Sequence, residues 1–265
     1  MTTIIVDRAG DTAEDEAAGT TLREAVILAN DTEGLDTIEF DPTVFTGGEN
    51  SLIRLVQGEI AITESVSIDG STGTDVTISG DADGNDVVDE NFITDVMASL
   101  DGEDRLADNS RIFNIDNPTI IYTRGDYSAF PPASGFLNPI ALDSLTLTGG
   151  RTSGDRESGG AIRAVEMASA YYSFNVGTFL MLESSHFAGN STSGANALGG
   201  AIYVQGTDDV SVQSSTFSGN VTFGKNASGG AFAINPMSPN FLGFYVENST
   251  FVDNEADGAD ARGGA

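Results

Sequence analysis

The sequence predicts an all-β protein, a right-handed parallel β-helix with a short N-terminal capping α-helix. Three observations carry this prediction. Two short motifs recur at a fixed spacing, short runs alternate apolar and small polar residues, and one stretch has helical periodicity. A repeat period of roughly 20–50 residues indicates an architecture in which each unit packs mainly on its neighbours.

The two motifs are Phe-x-x-Asn and Gly-Gly-Ala. Phe-x-x-Asn occurs three times, at Phe187–Asn190, Phe217–Asn220 and Phe251–Asn254. In each copy the first Gly of a Gly-Gly-Ala motif follows 9 residues after the Asn, at Gly199, Gly229 and Gly263. A degenerate copy ending at Gly150 precedes Gly159 by the same 9 residues. One arc of each repeat therefore has a fixed length, whereas the other arc varies and accepts insertions.

Short alternating runs such as "DSLTLTG" and "DVSVQSSTF" flank these motifs and have the period of strands with one buried face. A repeat of 30 to 34 residues, the distances from Phe187 to Phe217 and from Phe217 to Phe251, is long enough to wind once around an axis. Successive turns would then stack at a strand spacing of ~4.8 Å. The three Phe residues would form an inward column, the three Asn residues an amide ladder, and the Gly pairs the turns.

The segment "TTLREAVILAN" is the one stretch that predicts a helix, over residues 21–30. Its apolar residues have helical spacing, at Leu22, Ala25, Val26 and Ala29. Thr21 and Glu24 form a Thr-x-x-Glu capping box. We expect this helix to cover the first coil, whose exposed edge would otherwise recruit other strands.

Two of these patterns resemble known families. "GGAI" together with "FxxN" resembles the polymorphic outer-membrane protein repeats of bacterial autotransporter adhesins. "TTLREAVILAN…DTIEF" resembles the CSLREA segment that opens many secreted right-handed β-helix proteins, with Thr20 in place of its cysteine, and "ITESVSIDGSTGTDVTISG" is similar to their first coils. The resemblance covers residues 3–80 and about 143–265 and implies this fold. The fold also carries polysaccharide lyases, epimerases and phage spikes, so the resemblance leaves the function open.

The sequence favours a single β-helix domain over residues 1–265. We divide it into a cap (1–45), first coils with long insertions (46–142) and repeat coils (143–265). Because the chain stops at a Gly-Gly-Ala motif that elsewhere opens a strand, we expect it to be part of a longer protein. The alternative is that the open end pairs with another copy and builds a dimer or a filament.

The charge balance excludes several classes of partner. The formal net charge is −29, from 40 acidic and 11 basic residues, and this repels nucleic acids and anionic membrane surfaces. No stretch approaches the ~18 apolar residues of a membrane span. The absence of cysteine excludes disulfides and thiolate metal sites. An acidic surface of this kind is typical of a secreted protein in salty water, and we expect an extracellular or cell-surface location.

Three insertions, at 121–136, 165–177 and 235–244, contain two or more aromatic residues each, which could be exposed. If the coils stack as predicted, they project from similar places. Aromatic rings in such loops stack on sugar rings or dock another protein. The ligand-binding candidates are Tyr127, Phe130, Tyr171, Tyr172 and Phe241. The alternative is that the loops fold back and pack these rings on the coil wall.

The acidic insertion at 81–110 contains a candidate calcium site. Four closely spaced oxygen ligands surround Gly84, namely Asp81, Asp83, Asn85 and Asp86. The segment is not an EF-hand, because the Gly is misplaced and no Glu stands at the twelfth position. A solvated acidic loop is the alternative.

An enzyme is the less favoured class, and no catalytic residue is assigned. His186 is the only histidine, and its neighbour Phe187 should point inward, so His186 should point outward. Arg156, Arg163 and Lys225 are possible bases, but no carboxylate group is tied to them. The sequence therefore favours a stalk or adhesion module that binds an extracellular glycan or a surface protein. A lyase or epimerase acting on polysaccharides is the alternative.

Overall fold

The computed structural model describes residues 2–11, 19–84, 109–117, 138–166, 178–206, 209–235 and 243–264. Within these ranges the chain is predominantly β, and its strands are between two and six residues long. The strand pairs run parallel, as between neighbouring repeats. The predicted all-β class is confirmed.

The described elements are one α-helix and 22 short strands. In chain order they are β1 (Thr3–Val6), α1 (Leu22–Asn30), β2 (Asp36–Phe40), β3 (Leu52–Arg54), β4 (Ile60–Ile62), β5 (Val66–Asp69), β6 (Thr77–Ser79), β7 (Phe113–Asn117), β8 (Asn138–Asp143), β9 (Thr146–Thr148), β10 (Arg151–Thr152), β11 (Ile162–Glu166), β12 (Thr178–Glu183), β13 (His186–Ala188), β14 (Ser191–Thr192), β15 (Ile202–Gln205), β16 (Asp209–Gln213), β17 (Thr216–Ser218), β18 (Val221–Phe223), β19 (Phe232–Asn235), β20 (Gly243–Glu247), β21 (Thr250–Val252) and β22 (Glu255–Asp257). Two 3₁₀ turns lie at Gly48–Ser51 and Gly70–Thr72.

The strands of the described ranges form four parallel sheets. Sheet I has the order β1-β2-β5-β8-β12-β16-β20, sheet II β3-β6-β9-β13-β17-β21, sheet III β10-β14-β18-β22, and sheet IV β4-β7-β11-β15-β19. From β8 onward the chain passes through sheets I, II, III and IV in that order and then returns to sheet I. Each sheet therefore receives every fourth strand. This connectivity is compatible with the predicted solenoid.

The Phe column predicted from the repeat is confirmed on sheet II. Phe187 pairs in register with Phe217, and Phe217 with Phe251. The ring centroids are 4.7 Å apart in both pairs, with interplanar angles of 6° and 3°. This separation equals the spacing of hydrogen-bonded strands, so each ring lies directly on the ring of the neighbouring strand.

The predicted Asn ladder is also present. Asn190 and Asn220 are fully buried. The Asn190 Nδ2 donates to Asn220 Oδ1 at 3.0 Å, and the Asn220 Nδ2 donates to Asn254 Oδ1 at 2.8 Å. Each Oδ1 also accepts from the backbone N–H of the preceding Asn, at 3.0 and 3.1 Å. The ladder therefore satisfies buried backbone donors at a corner where the strands are interrupted.

The Gly pairs are required by the backbone conformation of the turn and by the close approach of the neighbouring repeat. Gly199 has φ 69°, in the left-handed region, and a Cβ there would lie 2.0 Å from the Ile202 carbonyl oxygen. A Cβ on Gly200 would lie 2.1 Å from the carbonyl oxygen of Gly230 in the next repeat. A side chain at either position would therefore force the stacked turns apart.

Helix α1 begins and packs as the sequence predicts. Thr21 and Glu24 form the reciprocal capping box, and Leu22, Ala25, Val26 and Ala29 are the buried residues. The helix packs against β1, β2 and β4.

Two α1 side chains, Asn30 and Arg23, bond to the backbone at β4, the edge strand of sheet IV. The Asn30 Nδ2 donates to the carbonyl oxygen of Ala61, and its Oδ1 accepts from the Thr63 N–H, both at 2.9 Å. The Arg23 guanidinium donates to the carbonyl oxygens of Gly58 and Glu59 at 2.6 and 3.0 Å. The helix therefore covers a sheet edge with side-chain partners as well as apolar contact.

The core lies between the inward faces of the sheets. Alternate residues of each strand enter it, as Leu180 and Leu182 do on β12 and Val210 and Val212 do on β16. Their neighbours along the strands face outward. Because the strands are short and in register, the outward residues form rows across each sheet, and these rows are the surfaces on which function can reside.

Candidate functional site

The three aromatic insertions are attached at one corner of the fold. Each insertion connects a strand of sheet IV to a strand of sheet I. The three connections run from β7 to β8, from β11 to β12 and from β19 to β20. The five predicted ligand-binding aromatics, Tyr127, Phe130, Tyr171, Tyr172 and Phe241, lie in these connections, outside the described residues. Their attachment at a common corner is what the sequence predicts, and their role stays a prediction.

The outer face of sheet IV, next to this corner, carries a row of polar side chains and one aromatic residue. Parallel register aligns Asn114 with Arg163, and Arg163 with Tyr203, while Gln205 aligns with Asn235. The alternate residues of β11 and β15, such as Ile162 and Val204, belong to the core, so these side chains face outward. We call Asn114, Arg163, Tyr203, Gln205 and Asn235 the sheet IV patch.

Hydrogen bonds order the sheet IV patch. The Arg163 Nη1 donates to Asn114 Oδ1 at 2.9 Å. The Tyr203 hydroxyl donates to Gln205 Oε1 at 2.9 Å and accepts from the Asn235 Nδ2 at 3.5 Å. Tyr203 is 7% exposed and Arg163 is half-buried. The patch therefore presents a guanidinium and amide groups in fixed positions, the chemistry of hydrogen-bonding recognition.

A second guanidinium lies close to the patch but is already engaged. Arg111 is 9% exposed, and it forms an ion pair with Glu59 through Nη1. Its Nε and Nη2 donate to the carbonyl oxygens of Gly159 and Ser158 at 3.0 and 3.4 Å. Burial lowers the pKa of Arg111 from its ordinary value, and the nearby positive charge of Arg163 lowers it further. The negative charge of Glu59 raises this pKa and so opposes both effects. Two guanidiniums therefore raise the local potential in an acidic molecule.

Sequence reasoning considered Arg163 only as a possible base and missed Tyr203 and Arg111. The repeat spacing did contain a signal for Arg163 and Tyr203. Arg163, Tyr203 and Ala233 each stand four residues after the first Gly of a Gly-Gly-Ala motif, so they occupy equivalent positions of three repeats. Arg111 lies outside the repeated positions, and no sequence pattern ties it to Glu59.

A separate open groove of about 390 Å³ lies where the chain passes from sheet I to sheet II. Its lining is mostly polar or lacks side chains, and comprises Gly70, Ser71, Gly73, Thr74, Asp75, Val76, Ser144, Leu145, Thr146, Ser184 and His186. The only histidine of the chain is thus on sheet II, away from the sheet IV patch.

His186 faces outward beside inward Phe187, as predicted, and aligns with Thr146 and Thr216 on the neighbouring strands. Its Nε2 lies 2.8 Å from the Ser218 Oγ. Burial lowers its pKa below the ordinary value for histidine, so the ring is neutral near pH 7. Its exposure is intermediate, so the ring forms part of the packed surface of sheet II.

The calcium candidates fall only partly within the described residues. Asp81 is buried, and its Oδ1 accepts from the Gly84 N–H at 2.8 Å, which closes a local turn. Asp83 is exposed, whereas Asn85 and Asp86 lie outside the described ranges. Among the residues that the structure describes, no group of three or more His, Cys, Asp or Glu side chains could hold a metal ion. The four-ligand site stays a prediction.

Comparisons with protein-family models, with curated proteins and with solved structures found no match to this chain. In the described part of the chain, no helix has the length and apolar character needed to cross a membrane. Function is therefore inferred from the geometry of the site and from the sequence motifs.

Proposed function

We propose that this chain is a right-handed parallel β-helix that serves as a secreted or cell-surface adhesion module and binds extracellular glycans. Support for the winding comes from the fixed order in which the chain visits the four sheets. It also comes from the columns of stacked Phe and Asn side chains. The resemblance of the GGAI and FxxN motifs to repeat adhesins supports an adhesive use of this scaffold.

One observation carries the glycan-binding proposal: the sheet IV patch lies directly before the common corner from which the aromatic insertions leave. Extended oligosaccharides need amide, guanidinium and hydroxyl groups for their hydroxyls and aromatic faces for their rings. Arg163 and Tyr203 supply the first set on rigid strands. The insertions, whose sequence includes Tyr171 and Tyr172, are the proposed source of the aromatic rings.

The alternative, a polysaccharide lyase or epimerase, needs a general base near a group that neutralises a substrate carboxylate. His186 lies on sheet II, whereas the cations Arg111 and Arg163 lie at sheet IV. Within the described residues, the single imidazole and the cationic side chains therefore lie on different sheets. This separation favours binding over catalysis.

A glycan array combined with a lyase assay on the same glycans tests the proposal. The 265-residue chain should retain a defined set of glycans without releasing unsaturated ends. The double variant Tyr171→Ala with Tyr172→Ala should lose most of this binding. A matched control is Tyr245→Ala on β20, which removes a tyrosine that is 59% exposed on sheet I. Retention of no glycan, or cleavage of a bound polysaccharide, would overturn the proposal.

A further inference from the structure

Among the residues that the structure describes, Arg163 has no acidic partner, in a molecule with 40 acidic and 11 basic residues. Four other arginines in the described ranges form ion pairs: Arg23 with Asp11 at 2.7 Å, Arg54 with Glu49 at 3.4 Å, Arg8 with Glu24 at 4.0 Å and Arg111 with Glu59. Arg156 and Arg262, like Arg163, form no ion pair with a described residue, but neither lies on sheet IV. Within those ranges the polar contact of the Arg163 side chain is the neutral amide of Asn114. Its positive charge is therefore uncompensated by a direct contact.

The guanidinium of Arg163 also keeps most of its donors. A guanidinium has five N–H groups, and the bond from Nη1 to Asn114 Oδ1 uses one of them. This bond holds the guanidinium in position and leaves the remaining N–H groups available. Two parallel N–H groups are what a carboxylate or a sulfate binds in bidentate fashion.

The groups beside Arg163 suit the rest of a sugar residue. Tyr203 stands on the adjacent strand, at a spacing of about 4.8 Å, and its hydroxyl is held by Gln205 and Asn235. These amide groups donate and accept hydrogen bonds, as sugar hydroxyls require. The hydrogen bonds within this cluster are to amides and not to carboxylates. One exposed carboxylate, Asp116, stands on the same face of β7, two residues beyond Asn114.

We propose that Arg163, with Asn114 and Tyr203 beside it, is the subsite for the anionic group of an acidic saccharide, either a carboxylate or a sulfate ester. The assignment rests on the proposed glycan-binding function and specifies the charge of the ligand. Arg111 contributes positive potential to the subsite, but its N–H groups are directed to Glu59, Gly159 and Ser158. Arg163 is therefore the residue that contacts the anion.

The net charge of −29 opposes an acidic ligand at long range. At an ionic strength of 0.15 M, however, charges further away than the Debye length of about 8 Å are largely screened. A contact pair at hydrogen-bond distance is screened much less. The local guanidinium, rather than the average charge of the molecule, therefore decides the binding of an anion at this position.

The test compares glycans that differ only in charge. The 265-residue chain is titrated calorimetrically with glycans in the presence of a chelator and 0.15 M NaCl. The first pair of ligands is oligogalacturonate and the same oligosaccharide fully methyl-esterified. The second pair is a sulfated galactan and its desulfated form. Arg163→Gln removes the charge, and Arg163→Lys keeps it without the bidentate geometry. Arg262→Gln is the matched control, since Arg262 is an exposed arginine near the last strand. Thermal melting verifies that each variant is folded.

We expect the unmodified chain to bind at least one charged glycan about tenfold or more tightly than its neutral counterpart, which corresponds to a charge-assisted hydrogen bond. Arg163→Gln should abolish this preference, Arg163→Lys should keep part of it, and Arg262→Gln should leave it unchanged. If Arg163→Gln keeps the preference, or the chain binds charged and neutral forms equally, the subsite assignment is wrong while the proposed function stands. If no glycan binds at all, both are wrong.

Discussion

Asn220 illustrates how one side chain holds three repeats together. Its Nδ2 donates to the Phe187 carbonyl oxygen at 2.9 Å and to Asn254 Oδ1, and its Oδ1 accepts from both nitrogens of Asn190. These bonds are made in a fully buried position. The amide therefore replaces water for several backbone and side-chain groups that the strands leave unpaired.

Replacing Asn220 by Ala removes the acceptor for the Asn190 backbone N–H and for one N–H of its side chain, and the donor to the Phe187 carbonyl oxygen. Asn254 Oδ1 loses one of its two donors and keeps the backbone N–H of residue 220. We expect the free energy of unfolding to fall by about 1–3 kcal/mol and the melting temperature to fall with it. Thermal melting followed by circular dichroism measures the change. Asn50→Ala, at an exposed position whose side chain donates to Thr46, is the control and should have a much smaller effect. An unchanged melting temperature in Asn220→Ala would contradict the structural role of the ladder.

A second prediction at the residue scale concerns His186. Because burial lowers its pKa in the folded state, the unfolded state binds the proton more readily once the pH falls below about 6.5. Stability is therefore fully present above that pH and declines as the pH falls. Thr occupies the equivalent position on β9, β17 and β21, so His186→Thr is a conservative replacement.

Urea unfolding of the two proteins between about pH 8 and pH 5 measures this effect. The unmodified chain should lose stability relative to His186→Thr as the pH falls. Parallel pH profiles would show that the imidazole is as free to protonate in the folded state as in the unfolded state.

At the scale of the element, helix α1 combines local and tertiary stabilisation. The capping box pairs Thr21 with Glu24 at its first turn, and the side chains of Arg23 and Asn30 bond the edge strand β4. The backbone hydrogen bond from Thr21 holds the pKa of Glu24 below its ordinary value, with burial acting against it. This stabilisation is therefore present at neutral pH and is lost as the pH falls below about 4.5.

Thr21→Ala removes the acceptor for the Glu24 N–H and should destabilise the protein by about 0.5–2 kcal/mol. The change should increase hydrogen exchange first in residues 22–30, because the cap acts on this helix. Thr250→Ala, an exposed threonine on β21, provides the comparison and should leave exchange in the helix unaltered. Equal exchange in both variants would mean that packing on the sheets, and not the cap, determines the stability of α1.

At the scale of the whole molecule, the excess of acidic residues sets the response to ions. Like charges repel one another, and added salt reduces this repulsion for any cation. A specific site adds stability only for its own ion, by mass action. The two effects are separable when ionic strength is held constant.

We expect millimolar Ca²⁺ to raise the melting temperature more than NaCl of matched ionic strength, because the acidic segment contains Asp83 and Asp86 close to Asp81. The double variant Asp83→Asn with Asp86→Asn should lose the additional rise. Asp260→Asn, which removes an exposed carboxylate elsewhere, should keep it. Identical melting in Ca²⁺ and in matched NaCl would exclude a stabilising calcium site.

The sequence by itself determined the elements that recur. Equal 9-residue arcs bring equivalent residues to the same point of successive repeats, so the column of Phe187 and Phe217 and the ladder of Asn190 and Asn220 follow from spacing alone. Helix α1 was equally predictable, because its cap and its apolar face are local patterns. Even the attachment of the aromatic insertions to one corner follows from the fact that they occur in the variable arc of the repeat.

Only the tertiary structure decided which residues of unlike segments meet. Arg111 contacts Glu59 across 52 positions of the chain, and Arg163 contacts Asn114 across 49. These separations cross arcs of variable length, so no period in the sequence predicts them. The physical reason is that register between parallel strands is set by packing of the whole stack, whereas a repeat pattern sets register only between its own copies.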